Sequence, residues 1–359
     1  MILLALAAIA AAYQILAILA CVFRGRAKTY AKPLGPISVL KPVHGVDPGF
    51  REAIRSHTVL HGDYEFLCGV SHPNDPALPL LREFFRVRVV DSDTPAANAK
   101  VGVLIDLAEA ARYPILVVND ADIRVEPDYL TRVVAPLADT RAGLVTCLYR
   151  PVGATFAARF EGLGVATDFA PSALVARLLG VDEFAMGSTL AFRRKDLDRI
   201  GGFAAVADYL ADDYQVGRRI HALGLKCVLS DVVVETHLGG GWRQVWQHQV
   251  RWARTIRVSR LGGYLGLPVT NATLWAVVAA AGGRLDLGVG LLVIRLVMAF
   301  ASGWGVLRSR DVLYLWWLVP VRDLFGFAVW LAGLFGNSVV WRGQRLRLDR
   351  DGRIQARCR

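Results

Sequence analysis

The chain has 359 residues, of which 54% are hydrophobic and 20% are charged, and its net charge is +11. This composition excludes an intrinsically disordered chain and a fibrous repeat. A basic excess of this size indicates attraction either to nucleic acid or to an anionic lipid surface. The apolar residues are concentrated at the two ends of the chain, which favours one soluble domain between membrane segments.

Residues 1–23 predict a membrane anchor. Gln14 is their one strongly polar side chain, and a helix of about 20 apolar residues crosses a hydrocarbon core. The segment lacks the positive start of a cleaved signal peptide, so we expect it to be retained. Because a Lys and Arg excess stays on the cytoplasmic side, the cations that follow predict a cytosolic middle of the chain. These cations are Arg24, Arg26, Lys28 and Lys32.

Acidic residues stand at three candidate positions in the middle of the chain, where short apolar runs alternate with helical patterns. This alternation predicts an α/β domain over 37–240, and ligands of such sheets bind outside the carboxyl ends of the strands. The predicted strands are 37–41, 64–71, 87–91, 115–119, 144–149, 185–192 and 226–234, and the predicted helices include 48–60, 98–111, 127–137 and 212–223.

The first two positions follow predicted strands. Asp75 lies in a loop bounded by prolines, where an Asp most often bonds its own backbone. Asp120 and Asp122 follow the fourth strand. Carboxylates spaced two residues apart can share one Mg²⁺ or Mn²⁺ ion that also holds a diphosphate.

Asp212 and Asp213 form the third position, at the start of a predicted helix. One interpretation is capping of the helix and complementation of its dipole. The other is that one carboxylate raises the pKa of its neighbour and leaves a base that is usable near neutral pH.

Residues 241–262 combine Trp and Arg at helical spacing. This pattern predicts an amphipathic helix in a membrane interface. Nucleic-acid binding is an alternative for the Arg excess, but no helix-turn-helix, zinc-finger spacing or RNA-recognition signature accompanies it, and we expect no nucleic-acid partner. The amphipathic segment 156–179 predicts either a second surface helix that guides a lipid or an ordinary core helix.

Three more apolar stretches, 266–283, 287–307 and 312–340, predict membrane segments. In the last, Pro320 lacks an amide donor, and Arg322 and Asp323 are costly in lipid, which predicts two short arms of a re-entrant or interfacial hairpin. This hairpin would keep the basic tail, 341–359, in the cytosol.

Arg295 stands in the middle of the second stretch. An unpaired charge there costs roughly 3 kcal/mol on insertion scales. A structural pair, with Asp323 as a partner, and contact with an acceptor molecule are both open.

The five cysteines lack the paired spacing of a zinc site or a redox pair. Their scatter agrees with a reducing compartment.

The order of these features is more specific than any one of them. In chain order, Asp75, Asp120-Ala121-Asp122, Asp213 and His248-Gln249-Val250-Arg251-Trp252 resemble the D1, D2, D3 and (Q/R)-x-x-R-W motifs of membrane-bound glycosyltransferases with the GT-A fold. Within that superfamily the sequence is most similar to the ceramide glucosyltransferases. The further matches include Leu40-Lys41-Pro42, Asn74-Asp75-Pro76-Ala77, Gly187-Ser188, Arg194-Lys195-Asp196 and Trp341-Arg342-Gly343. The hopanoid-biosynthesis glycosyltransferases are the bacterial branch that the compact chain suggests.

This resemblance implies a set of donor-binding residues. Lys41 and Pro42 would surround the uridine of a UDP-sugar, and Asp75 would hold the uracil. Asn98 and Lys100 would approach the nucleotide. Asp120 and Asp122 would bind the metal, Mg²⁺ or Mn²⁺, and Asp120 the diphosphate as well.

The resemblance also implies the residues that act on the acceptor. Asp213 would be the general base that deprotonates an acceptor hydroxyl, giving inversion in a single displacement. Arg251 and Trp252 would close over the diphosphate and the acceptor. The acceptor side would include Gly187, Ser188, Asp212 and Trp252. His248 stands where the motif has Gln or Arg, and its imidazole donates to phosphate only in a form that depends on pH.

The implied activity is transfer of glucose or N-acetylglucosamine from a UDP-sugar to a membrane lipid. A hopanoid polyol or a ceramide would be the acceptor, at the cytosolic face of a bacterial inner membrane. A soluble acceptor would not require an anchor and further membrane segments around one domain. A processive polysaccharide synthase shares the motifs but needs a channel, and a non-catalytic membrane scaffold would not need all of these acids.

Overall fold

A computed structural model describes residues 1–24 and 35–355. The predicted cations Arg26, Lys28 and Lys32, and the cysteine Cys358, lie outside the described residues. The chain divides into two compact units. The sheet unit comprises Arg26–Tyr149 and Val181–His237, and the helical unit comprises Met1–Gly25, Arg150–Gly180 and Leu238–Arg359. The predicted domain 37–240 therefore includes two segments, 150–180 and 238–240, that group with the helical unit.

The α-helices of the two units are numbered in chain order. They are α1 (Ile2–Val22), α2 (Phe50–Thr58), α3 (Ala77–Arg82), α4 (Ala99–Ala110), α5 (Tyr129–Val134), α6 (Phe156–Gly164), α7 (Ala170–Leu178), α8 (Arg194–Arg199), α9 (Asp212–Ala222), α10 (Trp242–Ser259), α11 (Leu261–Gly266), α12 (Ala272–Ala281), α13 (Leu285–Phe300), α14 (Arg310–Leu315) and α15 (Val319–Leu334). Short 3-10 segments are Ala135–Ala138, Phe203–Val206, Leu267–Thr270 and Trp316–Leu318, and π-helical segments are Val165–Phe169 and Ala301–Val306.

The strands form one large mixed sheet and one small antiparallel sheet. They are β1 (Ile37–Val43), β2 (Tyr64–Val70), β3 (Val87–Asp91), β4 (Ile115–Val118), β5 (Ile123–Arg124), β6 (Ala142–Gly153), β7 (Leu190–Arg193), β8 (Lys226–Leu238), β9 (Ser338–Trp341), β10 (Gln344–Leu348) and β11 (Ile354–Gln355). The large sheet has the order β3-β2-β1-β4-β7-β6-β8-β5, and the small one has the order β11-β10-β9.

The first four strands of the large sheet pair in parallel as β3-β2-β1-β4, with Ile37 opposite Tyr64 and Ile115. β7 then runs antiparallel to β4 and to β6. The strands read as almost continuous apolar runs because helices cover both faces, and a strand buried on both faces has no polar side. The predicted strands and helices of this region are confirmed, apart from the late start of β7 at Leu190, which is preceded by an isolated bridge between Met186 and Thr189.

Two hydrophobic cores hold the sheet between its helices. On one face α4 contributes Leu104 and Leu107, which cluster with Leu40 and Leu116 of the sheet. On the other face α2 and α5 supply a second cluster around Val117. Burial on both faces fixes the position of β4, and therefore of the turn that follows it.

The helical unit contains three helices that are long and apolar enough to cross a membrane, within the described residues, or up to four if a bent pair is one span. They are Ile2–Val22, Leu285–Val306 and Arg310–Leu334, and the bent pair is Leu261–Thr270 with Ala272–Ala281, which turns by 48°. The predicted N-terminal membrane segment is therefore matched by a candidate span. The apolar helices of the two chain ends are therefore candidate membrane spans.

The predicted hairpin at 312–340 is wrong, because Arg310–Leu334 is a single candidate span. Pro320 lies in the first turn of α15, where a backbone amide has no partner within the helix and its absence costs little. The two charged residues in the middle of this span are buried inside the unit. Arg322 and Asp323 are 5% and 8% exposed, so burial inside the unit accounts for what the sequence suggested was a break.

Arg295 and Asp323 form the predicted structural pair. Arg295 donates from Nε to Asp323 Oδ2 at 2.8 Å and from Nη2 to Asp323 Oδ1 at 2.6 Å. Thr273 donates to the same carboxylate at 2.5 Å. The carboxylate thus joins α12, α13 and α15, and a charge pair with this two-point geometry is stable where a single charge would not be.

Other polar groups of the unit also form hydrogen bonds within it. Gln14 of α1 is buried and donates to the Thr270 carbonyl at 3.0 Å. Arg254 and Arg257 of α10 donate to the Phe335 and Gly336 carbonyls, just past the end of α15, at 3.1 and 2.8 Å. Carbonyls at a helix end lack partners within the helix, so these arginines of the predicted interfacial helix bind protein.

Two further predictions for this unit are resolved by the fold. The tail 341–359 is not a plain basic extension, because β9, β10 and β11 form an antiparallel sheet over 338–355. The segment 156–179 forms α6, a π-helical turn and α7. Phe160 and Leu174 are buried whereas Phe156 is 51% exposed, so most of its apolar face packs as a core helix.

Candidate active site

The turn after β4 places two carboxylates at the edge of the sheet. Asp120 and Asp122 lie between β4 and β5, and the Asp120 amide donates to the Gly187 carbonyl at 3.3 Å. Beneath the turn, Lys41 of β1 is fully buried. Its ammonium donates to the backbone carbonyls of Asp120 at 2.7 Å and of Ile123 at 3.1 Å. Lys41 therefore fixes the backbone of the acidic turn.

Burying the charged ammonium group of Lys41 has an electrostatic cost. Burial lowers its pKa to about 8, against the opposing influence of nearby acidic groups that include Asp122 and Asp120. Burial of a charged ammonium is tolerated where its protons are hydrogen-bonded, and carbonyl groups supply that here. The resemblance implied that Lys41 lies around the uridine, and the structure shows the Lys41 side chain directed to the acidic turn.

A second lysine, Lys100, lies among the carboxylates themselves. Its ammonium is 2.8 Å from Asp120 Oδ1 and 3.1 Å from Asp212 Oδ2. Burial lowers the pKa of Lys100, but Asp120, Asp212 and Asp213 together raise it above its ordinary value. The ammonium is therefore charged at neutral pH and links two acidic segments that are far apart in the sequence.

Asp213 is held by backbone amides on both of its oxygens. Gly187 donates to Oδ2 at 2.7 Å, and Tyr214 donates to Oδ1 at 2.7 Å. Burial, followed by the adjacent Asp212 carboxylate, raises the pKa of Asp213 to about 6. An oriented carboxylate with this pKa is deprotonated near neutrality and still accepts a proton readily, which are the properties of a general base.

Gly187 allows these groups to approach one another. A Cβ atom at this position would lie 2.8 Å from Asp120 Oδ2, 3.4 Å from Asp213 Oδ2 and 3.4 Å from Lys100 Nζ. Only a residue without a side chain leaves the space between these polar atoms open. The structure therefore brings Lys100, Asp120, Gly187, Asp212 and Asp213 together in one cluster, which we call the acid cluster.

Asp120 and Asp122 have the character of a cation site. Burial, followed by the Asp120 carboxylate, raises the pKa of Asp122, so the pair favours a nearby positive charge. The Asp120 side chain is 37% exposed and accessible to a ligand, while Asp122 accepts a hydrogen bond from the Thr236 hydroxyl. No group of three His, Cys, Asp or Glu side chains that could hold a metal occurs among residues 1–24 and 35–355. Two carboxylates fit Mg²⁺ or Mn²⁺ that takes its other ligands from phosphates and water.

Asp75 and Asn98 organise loops of the sheet unit. Asp75 accepts from the Gly45 amide at 2.9 Å and from the Ala77 amide at 2.8 Å, so it ties the loop after β1 to the start of α3. Asn98 caps α4 by accepting from the Lys100 amide at 3.1 Å. Its amide group donates to the Tyr209 carbonyl at 2.8 Å. Asn98 therefore holds the first turn of α4, which carries Lys100.

Ser188 forms hydrogen bonds within the protein, and Pro42 is part of a strand. The Ser188 hydroxyl donates to the Cys147 carbonyl at 2.9 Å, and the Ser188 carbonyl accepts from Asn119 at 2.7 Å. Pro42 lies in the buried strand β1. Sequence reasoning missed Asn119, which immediately precedes Asp120 and is fully buried. A buried Asn at the end of an apolar strand was the available signal.

The predicted aromatic and basic motif lies on α10 in the helical unit. The His248 and Trp252 rings meet edge to face at 4.6 Å between centroids, and Trp252 is 6.0 Å from Phe169. His248 Nδ1 is 2.6 Å from Glu161 Oε1. Arg251 lies on the same helix and is partly exposed.

Comparisons with known proteins agree with this architecture. The family model for glycosyl transferase family 21 matches residues 2–354. Ceramide glucosyltransferase 1 of Caenorhabditis elegans is 22% identical over 378 residues, covering 95% of this chain and 78% of the relative. Ceramide glucosyltransferase 3 of the same organism is 26% identical over 342 residues, covering 89% and 74%.

A solved structure is similar in fold. A mannosyltransferase from Pyrobaculum calidifontis, in complex with GDP-Man and Mn²⁺, has a TM-score of 0.54 at 19% identity and covers 92% of this chain and 97% of its own. The predicted fold class is confirmed as a mixed α/β GT-A fold with N-terminal and C-terminal apolar helices that are candidate membrane spans. With a family match over residues 2–354, the chain belongs to glycosyl transferase family 21.

Proposed function

We propose that this protein transfers one glucose or N-acetylglucosamine from a UDP-sugar to the hydroxyl of a membrane lipid, with inversion at the anomeric carbon. The observation that carries the proposal is the acid cluster, in which Asp213 is oriented by the Gly187 amide at 2.7 Å beside Asp120 and Lys100. A hopanoid polyol or a ceramide is the proposed acceptor. The proposed setting is a bacterial inner membrane, with the sheet unit in the cytosol.

In this proposal Asp213 takes the proton from the acceptor hydroxyl as that oxygen attacks the anomeric carbon. The amides of Gly187 and Tyr214 hold its carboxylate in one orientation, which reduces the entropy lost on reaching the transition state. We assign Asp212, Gly187 and Ser188 to the part of the site that receives the acceptor. The Asp212 carboxylate is held by Lys100 at 3.1 Å and is therefore less available as a base.

We assign donor binding to the remaining predicted residues. Asp120 and Asp122 hold a divalent cation, Mg²⁺ or Mn²⁺, which when bound neutralises charge on the departing diphosphate. Mn²⁺ accompanies GDP-Man in the Pyrobaculum mannosyltransferase. Lys100, positioned by Asn98, adds a fixed positive charge at the same edge.

The uridine is assigned to the loops that follow β1 and β2. Asp75 is ordered there by two backbone amides and holds the uracil. Lys41 and Pro42 support this region from the buried strand, Lys41 through the acidic turn that it binds. For His248, Arg251 and Trp252 of α10, the resemblance to the motif supports a role in binding the diphosphate and, for Trp252, the acceptor.

The function is tested by UDP release from purified protein in detergent with Mn²⁺ or Mg²⁺. UDP-glucose and UDP-N-acetylglucosamine are each combined with a total lipid extract, a hopanoid polyol and a ceramide, and the lipid products are identified by mass spectrometry. We expect a single hexose or N-acetylhexosamine on one lipid class. Long saccharide products would support a polysaccharide synthase instead. Absence of turnover with every acceptor would support a non-catalytic scaffold.

The cation assignment predicts that Asp122→Asn and Asp120→Asn remove the metal-dependent part of UDP-sugar binding. Because each variant keeps its size and loses one negative charge, we expect affinity in Mn²⁺ to fall by about 10-fold or more, measured by calorimetry. Asp128→Asn is the matched control, since Asp128 is 53% exposed and pairs with Arg132. Unchanged affinity in both variants would contradict the assignment.

The base assignment predicts a different result for Asp213→Asn. The amide keeps the shape of the side chain but cannot take the proton, so we expect turnover to fall by about 10²–10⁴-fold. UDP binding should stay close to that of the parent protein. Asp198→Asn, at an exposed position in α8, is the control. Turnover at the parental rate in Asp213→Asn would place the base elsewhere.

A further inference from the structure

A short turn before β7 binds both of the acids to which the proposed function gives separate roles. Thr189 donates its backbone amide to the Met186 carbonyl at 3.1 Å, which closes what we call the 186–189 turn. Within it, the Gly187 carbonyl accepts from the Asp120 amide at 3.3 Å. The Gly187 amide donates to Asp213 Oδ2 at 2.7 Å. The place of this turn therefore links the positions of the two acids.

Asn119 binds the 186–189 turn from the end of β4. Its side chain is fully buried. The amide nitrogen Nδ2 donates to the Ser188 carbonyl at 2.7 Å and to the Tyr129 hydroxyl at 2.9 Å, which uses both of its protons. Asn119 immediately precedes Asp120. Two consecutive residues therefore bind two consecutive carbonyls of the 186–189 turn.

The acidic turn itself is held without the Asn119 side chain. The Asn119 backbone amide donates to the Leu40 carbonyl of β1 at 3.1 Å, and the Lys41 ammonium binds the Asp120 carbonyl at 2.7 Å. Both bonds remain when the side chain of residue 119 is changed. Loss of that side chain should therefore release the 186–189 turn and leave the acidic turn in place.

The far side of the 186–189 turn is bound by β6. The Thr146 hydroxyl accepts from the Met186 amide at 2.9 Å, and the Ser188 hydroxyl donates to the Cys147 carbonyl at 2.9 Å. These bonds tie the turn to β6, whereas the Asn119 side chain ties it to the segment that carries Asp120. The Asn119 bond therefore acts on the separation between the acidic turn and Gly187.

We propose that Asn119 is a positioning residue for the transfer reaction: through the Ser188 carbonyl it sets the distance between Asp120 and the base Asp213. This inference rests on the proposed function, which assigns cation binding to Asp120 and proton removal to Asp213. In a single displacement the acceptor oxygen and the departing diphosphate lie on opposite sides of the anomeric carbon. A misplacement of about 1 Å between the groups that bind them can cost roughly 10²-fold in rate.

Asn119→Leu tests this role because it keeps the approximate size of the side chain and removes both hydrogen bonds from Nδ2. We expect kcat to fall by about 10- to 100-fold. UDP affinity in Mn²⁺, measured by calorimetry, and the KM for the UDP-sugar should change by less than about 2-fold, since Lys41 still holds the acidic turn. An unchanged kcat would overturn the proposal. Equal losses in kcat and UDP affinity would also overturn it, because Asn119 would then support only the acidic turn.

Tyr129→Phe is the matched control in the same buried network. It removes a hydroxyl that accepts from Asn119 and leaves the Ser188 bond in place. We expect a lower melting temperature, because a buried donor loses a partner, and a kcat within about 2-fold of the parent. A kcat as low as that of Asn119→Leu would attribute both effects to packing and overturn the proposal.

Asn119→Thr keeps the test decisive if the Leu variant folds poorly. Threonine suits a strand end, and its hydroxyl lies one bond nearer the backbone than the asparagine amide, too short to reach the Ser188 carbonyl. We expect the same loss of kcat at nearly unchanged UDP affinity. Parental kcat in this variant would overturn the proposal.

An NMR measurement tests the link between Asn119 and Gly187 without any substrate. Met186-Gly187 is the only Met-Gly pair in the sequence, so labelling with ¹³C′-methionine and ¹⁵N-glycine selects the Gly187 amide. Its proton should lie downfield because it donates to a carboxylate, and should move upfield in Asn119→Leu. Asp213→Asn gives the reference for a weaker acceptor.

An unmoved Gly187 resonance in Asn119→Leu would overturn the proposal, and a shift of equal size in Tyr129→Phe would do the same. A parent protein that transfers no sugar would instead reject the proposed function. In that case the resonance still decides whether Asn119 fixes the 186–189 turn, so the two failures are distinguishable.

Discussion

One ammonium group determines the organisation of the acid cluster. Lys100 bridges Asp120 and Asp212 at 2.8 and 3.1 Å, and Asp213 adds to the same field. Carboxylates this close repel one another in a poorly solvated site. Burial, followed by the Asp212 carboxylate, raises the pKa of Asp213 to about 6, and the charge of Lys100 opposes that rise. Lys100 therefore joins Asp120 and Asp212 directly, whereas Asp213 is held by backbone amides.

Hydrogen-bonded pairing of buried charges also organises the helical unit. Arg295 and Asp323 bind each other with two hydrogen bonds, and Glu161, Gln249 and Arg322 form a second connected set. Unpaired charges are costly in lipid. In these two sets each charged side chain is hydrogen-bonded to a partner on another helix, which stabilises the packing of those helices. The motif helix α10 is held by one of these sets.

The sequence predicted the sheet and the acids at its edge because both signals are local. Asp120 and Asp122 directly follow an apolar run, and Arg295 in an apolar stretch suggested its pair with Asp323. The direction of the Lys41 side chain was not predictable, since a strand buried on both faces has no polar side. Pro320 suggested a break in the helix because the sequence does not show where α15 begins. A proline disrupts a helix only beyond its first turn, and Pro320 lies in the first turn of α15. Glu161 carried no signal, since its partners are about 90 residues away along the chain.

The central claim is that Asp213 deprotonates the acceptor for a single displacement at the anomeric carbon. The most direct test is the anomeric configuration of the purified glycolipid, read from the coupling of its anomeric proton by NMR. Donor UDP-glucose and UDP-N-acetylglucosamine carry α-linked sugars, so the account predicts a β-linked product. An α-linked product would contradict it, because retention requires a path in which Asp213 is not the base of a single displacement.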